Sequence, residues 1–140
     1  MKRPLLVLAL LGWGSNSAFS LSARPADIEI ALSPTPQQDA IVRVLAHQAQ
    51  ARGWRCDEPQ LDVPIAQRRV LLACDDGAND GAVTAFHPVY ERGPQSVGVQ
   101  GYRSATRPDE VEELLRAFLD AVSSGAGTKA VEVNWNARKR

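Results

Sequence analysis

The stretch RPDEVEELLRAFLDAV carries its large apolar side chains at the spacing of one helical face. Acidic residues fill its first turns, where they complement the positive end of the helix dipole. Because an apolar helix face must be covered, the segment is predicted to pack against a second layer of structure. The apolar residues recur at positions i, i+3, i+4, i+7 and i+11, the period of a helix buried along one side: Val111, Leu114, Leu115, Phe118 and Val122.

Strand patterns occur on both sides of this helix. Residues 26–32 and 130–135 alternate apolar with polar side chains, as half-buried strands do. Turn-forming segments separate further short strands in the middle of the chain. These shorter strands are predicted over residues 54–57, 70–74, 82–90 and 96–103.

A second amphipathic helix is predicted after the first strand. Thr35 would supply its cap and Pro36 its first helical residue, and Gly53 is placed to end it in a left-handed conformation. The element order is then strand, helix, four strands, helix, strand. This order predicts an α+β domain, in which a mostly antiparallel sheet of about five to six strands carries two amphipathic helices and one disulfide.

The N-terminus MKRPLLVLALLGWGSNSAFS has the parts of a secretory signal peptide. Basic residues precede an apolar run over residues 5–11, and the small residues near Ser20 suit cleavage after that position. The run is shorter than the roughly 20 residues of a membrane-spanning helix, so no stable membrane anchor is expected. Residues 1–20 are predicted to be the leader and residues 21–140 a single domain that is periplasmic or secreted.

The charge of the chain argues against nucleic-acid binding. The sequence has 16 basic and 16 acidic residues, and loss of the leader removes basic residues only. The remaining chain is slightly acidic and lacks the excess of positive charge that binding to phosphates requires. No nucleic-acid partner is therefore expected.

The two cysteines, Cys56 and Cys74, predict a disulfide. In an exported chain, two cysteines that are not spaced as C-x-x-C most simply pair with each other. Each falls on the apolar side of a predicted short strand, so two strands joined by the disulfide satisfy both patterns. A free catalytic thiol is the alternative interpretation.

An acidic, glycine-rich stretch, CDDGANDGAV, begins at Cys74. It does not fit a calcium loop of the EF-hand type, because alignment of Gly81 with the invariant glycine leaves Ala78 and His87 at ligand positions. Asp, Asn and Gly also favour a turn between antiparallel strands, with Gly77 and Gly81 expected at positive φ. We therefore predict a turn, with no metal site and no cofactor.

Other catalytic patterns are missing from the sequence. GAGTK follows a predicted helix instead of preceding one, so it does not match a phosphate-binding loop. Ser104 lacks a G-x-S-x-G context, and His47 and His87 lie on different elements without an H-E-x-x-H motif. One combination stays open: His87 with Asp75 or Asp76, which would serve a small periplasmic hydrolase or ligand-binding enzyme if the strands align favourably.

The leading hypothesis is a small exported binding protein that is not an enzyme. It would act through contacts with a protein partner, as an inhibitor or an immunity-type protein does. Trp54 and Trp135 are expected in the core. The candidate contact residues are the acidic loop and the aromatic or charged residues at strand ends, which suit protein contacts: Asp75, Asp76, Asp80, Tyr90, Tyr102 and Arg103.

Overall fold

The computed structural model describes residues 25–34, 37–57, 69–77, 80–87, 96–125 and 130–139. The predicted leader, residues 1–20, lies outside these segments. The described residues form six strands, two helices and a short C-terminal 3-10 helix. Their bounds are β1 (Ile28–Leu32), α1 (Gln38–Gln50), β2 (Arg55–Asp57), β3 (Val70–Asp75), β4 (Ala82–Phe86), β5 (Val97–Tyr102), α2 (Pro108–Gly125), β6 (Ala130–Asn134) and the 3-10 helix Ala137–Lys139.

The six strands form one sheet in the order β2-β3-β4-β5-β1-β6. Every neighbouring pair in the sheet is antiparallel. The strands β2 to β5 follow one another as a meander, as the short predicted connections indicated. The α+β prediction, with an antiparallel sheet and two helices, is confirmed.

The register brings the ends of several strands together. Asp75, at the end of β3, lies opposite Ala82, and Ala82 lies opposite Tyr102 at the end of β5. Ile28, at the start of β1, lies opposite Gly101. Since β6 also ends beside the start of β1, the connections that follow β3, β5 and β6 all leave from the same end of the sheet.

Both helices pack on one face of the sheet. α1 contacts β2 and β3, α2 contacts β5, and the helices contact each other. All five apolar residues predicted for the inner face of α2 are fully buried. A Cβ atom on Gly101 would lie 2.8 Å from Leu115 Cδ1, so glycine is what lets the helix approach this strand. Neither described helix is long and apolar enough to cross a membrane.

The first helix begins later than predicted. Its N-cap is Gln37, which makes no side-chain capping hydrogen bond. Thr35 and Pro36, predicted as the cap and the first helical residue, precede this position and lie outside the described residues. The predicted end is confirmed, because Gly53 has a φ of 81°, a conformation that glycine adopts without a steric penalty.

The predicted disulfide is present. Cys56 of β2 lies directly opposite Cys74 of β3, and their sulfur atoms are bonded. Cys74 is 2% exposed and belongs to the core, so the bond fastens the three-residue edge strand β2 to the buried side of the sheet. Since both cysteines of the chain are used, the alternative of a free catalytic thiol is excluded.

Candidate functional site

Charged residues from separate chain segments collect at the end of the sheet where β3, β5 and β6 end. We call this region the polar end. Predicted contact residues from the acidic loop and from the end of β5 meet here, although about 25 residues separate them in the sequence. The polar end is defined by Asp27, Asp75, Asp76, Asp80, Arg103 and Arg138.

The acidic loop is the turn between β3 and β4, as predicted. Asp75 Oδ1 accepts the backbone N–H of Gly77 at 2.9 Å, and Asp76 Oδ1 accepts the backbone N–H of Gly81 at 2.9 Å. The backbone N–H of Asp76 donates in turn to the Gly81 carbonyl. These are the local bonds by which aspartate stabilises turns. Among the described residues, no group of three or more His, Cys, Asp or Glu side chains is placed to hold a metal ion.

The two glycines of the turn have different roles. Gly77 has a φ of 81°, as predicted. The second residue with positive φ is Asp80, at 66°, so the prediction of a left-handed Gly81 is wrong. Gly81 is buried, and a Cβ atom there would lie 2.6 Å from Asp76 Oδ2. Glycine is required at that position because the Asp76 carboxylate lies against its backbone.

Asp27 joins three parts of the chain at the polar end. Its Oδ2 accepts the backbone N–H of Arg103 at 2.7 Å, and its Oδ1 lies 3.2 Å from Arg138 Nη1. The backbone N–H of Asp27 donates to the Gly101 carbonyl, and its carbonyl accepts the N–H of Ala137. The residue is 7% exposed. A buried carboxylate needs such partners, because an unpaired charge would carry a large desolvation penalty.

Among the described residues, three acceptors from two other segments hold Arg103. Its guanidinium donates to the carbonyl of Pro108, to Glu112 Oε1 and to the carbonyl of Trp135. The side chain is 21% exposed. The planar fork of arginine suits this arrangement, since its N–H groups have fixed directions and can reach several acceptors at once. Arg103 therefore links the start of α2 to the turn after β6.

Glu112 connects Arg103 to a second arginine. Its Oε2 accepts two hydrogen bonds from the Arg116 guanidinium, which also lies 4.0 Å from the centre of the Trp135 ring. The hydrogen bond from Arg116, and after it that from Arg103, holds the pKa of the Glu112 carboxyl below its ordinary value of 4.5. Trp54 lies in the core at 5% exposure, as predicted, and Trp135 is partly buried and packs against the core.

An open cleft lies between these groups. Asp27, Arg103 and Arg138 line two hollows of about 420 Å³ and 390 Å³. Asn136 contributes to the first hollow. The wall of the second includes Asp80 of the acidic loop, so the turn and the C-terminal segment face the same space. This volume suits a small group or a side chain of a partner.

Two tyrosines were predicted as contact residues. Tyr102 is 1% exposed, and its hydroxyl donates to Gln100 Oε1 at 3.0 Å. Its side chain therefore offers no contact surface, so the prediction that Tyr102 contacts a partner directly is wrong. The reason is that Tyr102 belongs to the strand itself, beside buried neighbours, and not to the connection that follows. Tyr90 lies outside the described residues.

His87 lies at the opposite end of the sheet from the acidic loop. It follows β4 directly, whereas Asp75 is opposite Ala82 at the start of that strand. At about 3.4 Å per residue, roughly 17 Å separate the two positions. His87 cannot act with Asp75 or Asp76, so that catalytic pairing is wrong. The imidazole is 5% exposed, with Nδ1 3.3 Å from the Ser96 carbonyl.

Ser104 starts the second helix. Its side chain is buried, and its Oγ accepts the backbone N–H groups of Thr106 and Arg107 at 3.2 and 3.1 Å. These are N–H groups that precede the helix and have no partner within it. The serine therefore orients the first turn of α2 beside the cleft, a structural role that agrees with the lack of a nucleophile motif around it.

Comparison with known protein families, with curated proteins and with solved structures finds no match for this chain.

Proposed function

We propose that the chain is an exported binding protein without catalytic activity, which acts by contacting a protein partner through the polar end. Roles of this kind include inhibition of an enzyme and protection against a toxic protein. The observation that carries the proposal is the meeting of Asp80 and Arg103 at one open cleft, with Asp75 and Asp76 in the same turn as Asp80. The sequence predicts all four as contact residues; the three aspartates lie at the turn between β3 and β4, and Arg103 follows β5.

The rigidity of the polar end supports a contact role. Arg103 is held by three acceptors, and the Asp75 and Asp76 carboxylates are fixed to the turn by backbone N–H groups. Side chains that are already ordered lose little conformational entropy when a partner arrives. Trp135 is bonded to Arg103 and Arg116 is joined to it through Glu112, and tryptophan and arginine contribute strongly to binding at protein interfaces.

Binding to a partner can be tested by capture and by kinetics. The purified protein would be immobilised and exposed to the exported proteins of its source cells, and the captured partner then measured by surface plasmon resonance. We expect the double variant Asp75→Asn/Asp80→Asn to associate several-fold more slowly at low salt, because charges at an interface mainly set the association rate. Asp120→Asn is the matched control, since it removes an exposed carboxylate from the far half of α2.

Equal association rates for the double variant and the control would count against the polar end as the contact surface. Asparagine keeps the left-handed conformation at position 80 and the Gly77 hydrogen bond at position 75, so the fold is preserved. A thermal melt of each variant would verify this. Failure to capture any partner under oxidising, low-salt conditions would count against the binding function as a whole.

Export is a separate part of the proposal. The leader at residues 1–20 and the Cys56–Cys74 disulfide support it, because disulfides persist in oxidising compartments. Expression in a bacterium should yield a periplasmic product whose N-terminal sequence begins at Leu21. A membrane-bound product that keeps Met1 would contradict both the leader and its cleavage.

A further inference from the structure

The strand β6 forms one edge of the sheet. In the described part of the chain it pairs with β1 on one side and has no strand on the other. The outer side of an edge strand presents backbone N–H and C=O groups that can pair with a further strand. Val131 of β6 is 70% exposed, and among the described residues it is the one large apolar side chain left in solvent.

The opposite edge, β2, is protected against such pairing, whereas β6 is not. β2 has three residues, and two of them, Arg55 and Asp57, are charged and exposed. Short length and outward charges are usual means by which a sheet edge avoids pairing with another chain. β6 has five residues with a single charge, at Glu132, and its register with β1 is regular over residues 132–134. This part of β6 therefore offers an open pairing edge.

The regular part of β6 has an apolar face and a polar face. Val133 and Trp135 are partly buried and pack against the core. Glu132 and Asn134 alternate with them along the chain and lie on the other face of the sheet. A strand that pairs with this edge must match both faces.

A second copy of the chain matches both faces in one register. A two-fold axis perpendicular to the sheet makes the two β6 strands antiparallel and sets one residue opposite its own mate. An axis at Glu132 would place two carboxylates directly opposite each other, which is destabilising. An axis at Val131 would leave Glu132 opposite an alanine and Trp135 outside the pair. An axis at Val133 sets Glu132 opposite Asn134 and Val131 opposite Trp135.

The register centred on Val133 uses favourable cross-strand pairs. Pairs of β-branched residues with each other and with aromatic residues stabilise antiparallel strands, and this register contains both kinds. Asn134 Oδ1 accepts the backbone N–H of Asn136 at 3.0 Å. The NH₂ group of Asn134 is then left to donate to the Glu132 carboxylate of the second copy.

We propose that a second copy of this chain binds to the open edge of β6 in an antiparallel pair centred on Val133, so that two sheets join into one. This inference goes beyond the proposed function and does not rest on it, because the residues that define the polar end take no part in the strand pair. One pair of short strands buries less area than a standard interface of roughly 1,600 Å². The dimer is therefore expected to be reversible and to form as the concentration rises.

Dimer formation can be measured by sedimentation velocity. The mature, disulfide-bonded protein would be studied over a range of concentrations, where we expect a monomer–dimer equilibrium. Val131→Lys places a charge on the edge, as natural sheet edges do, and should weaken association by about tenfold or more. Gln50→Lys adds the same charge at an exposed position of α1 and is the matched control, which should dimerise like the wild type.

Thermal melts would verify that both variants fold, as substitutions at exposed positions should allow. A protein that stays monomeric at every concentration would overturn the inference. So would equal association of Val131→Lys and Gln50→Lys.

The register is tested with single added cysteines. A disulfide requires Cα atoms roughly 4.4 to 6.8 Å apart, which residues directly opposite each other in antiparallel strands satisfy. Under mild oxidation Val133→Cys should crosslink two copies, and Val131→Cys and Glu132→Cys should do so several-fold more slowly. Non-reducing gels over time would compare the rates. Fastest crosslinking at position 131 or 132 would overturn the pair centred on Val133.

Dimerisation and capture of a partner can fail independently. A captured partner whose binding is lost in Val131→Lys, together with a protein that is monomeric by itself, would assign the β6 edge to a different protein and overturn self-pairing. A dimer with the expected crosslinks, together with no captured partner, would support this inference and contradict the proposed function.

Discussion

The two sides of α2 are stabilised in different ways. The inner side carries five fully buried apolar residues that contact the sheet and α1. The outer side carries Glu112 and Arg116, which connect the helix to Arg103 and Trp135 through hydrogen bonds and a ring contact. One helix thus contributes both to the core and to the edge of the candidate site.

The two sides of α2 therefore differ in how much they contribute to the stability of the fold. Burial of one large apolar side chain contributes roughly 1.5 to 3 kcal/mol, whereas an exposed ion pair contributes about 0 to 1 kcal/mol. The inner side of α2 therefore supplies most of the free energy of folding that this helix provides. The outer side contributes less stability, but its directional bonds place arginine and tryptophan side chains at fixed positions beside the cleft.

Truncation of the inner side should give the largest loss. Phe118→Ala and Leu115→Ala remove fully buried side chains, so we expect the free energy of unfolding to fall by about 3 to 5 and about 2 to 5 kcal/mol respectively. Urea denaturation would measure both. Glu113→Ala is the control on the exposed side of the same helix and should change stability by less than about 0.5 kcal/mol. Equal losses for all three variants would remove the distinction between the two sides.

The disulfide should have the next largest effect. Replacement of Cys56 and Cys74 together by alanine opens a loop with a sequence separation of 18, which should lower the free energy of unfolding by about 3 kcal/mol in the chain-entropy model. Urea denaturation of the double variant, beside the wild type with and without reductant, would measure it. A loss of less than about 1 kcal/mol would mean that packing of the core alone holds β2 in place.

The same contrast explains what could be predicted from the sequence. The inner side of α2 lies within 12 consecutive residues, and its helical period is visible without knowledge of the fold. The ion pair of Asp27 with Arg138 joins residues 111 positions apart, and the bond from Arg103 to Trp135 spans 32 positions. No local pattern signals such contacts, because they depend on which strands become neighbours.

Individual residues show the same limit. Asp27 directly precedes β1, and nothing in the sequence around it indicates a buried carboxylate or a residue bonded to four others in the described part of the chain. Tyr102 stands next to Arg103 in the sequence, yet the tyrosine is buried and the arginine reaches the cleft. Alternation along a strand indicates that neighbours differ in environment, but the burial of Tyr102 depends on what covers each side of the sheet.

Loss of the Glu112 charge should have a smaller, pH-dependent effect. Glu112→Gln weakens the bonds to both arginines, and because the glutamate is 29% exposed we expect a loss of only about 1 kcal/mol at pH 7. The pKa of Glu112 is lowered in the folded protein, chiefly by the hydrogen bond from Arg116. Its contribution is therefore complete above the ordinary value of 4.5 and is lost as the pH falls through the lowered folded pKa.

Urea midpoints at pH 7, 5 and 3 would measure this dependence. The difference between wild type and Glu112→Gln should be largest at pH 7 and should shrink towards pH 3. Glu113→Gln, a neighbouring exposed residue on the same helix, is the control and should show no such trend. A difference that stays constant with pH would mean that the shape of the side chain matters and its charge does not.

The smallest effect is expected at the acidic loop. Asp76→Asn/Asp80→Asn should change the free energy of unfolding by less than about 1 kcal/mol, because asparagine can accept the Gly81 N–H through Oδ1 and tolerates the left-handed conformation at position 80. Asp76→Ala is the contrasting variant. It leaves the partly buried Gly81 N–H without its acceptor and should cost about 1 to 3 kcal/mol. Equal stability of the two variants would mean that the Gly81 hydrogen bond does not hold the turn.

Calcium provides an independent measurement on the same loop. If the loop is a turn, millimolar calcium should leave the melting temperature of the wild type unchanged relative to chelator. A calcium site would stabilise the folded state by about 2.7 kcal/mol at 100 times its dissociation constant, which is several degrees for a domain of this size. A rise in melting temperature that Asp76→Asn abolishes would make the aspartates metal ligands. An unchanged melt, together with slower association of Asp75→Asn/Asp80→Asn with a captured partner, would instead assign these charges to recognition, because the turn would then be intact while the contact is weakened.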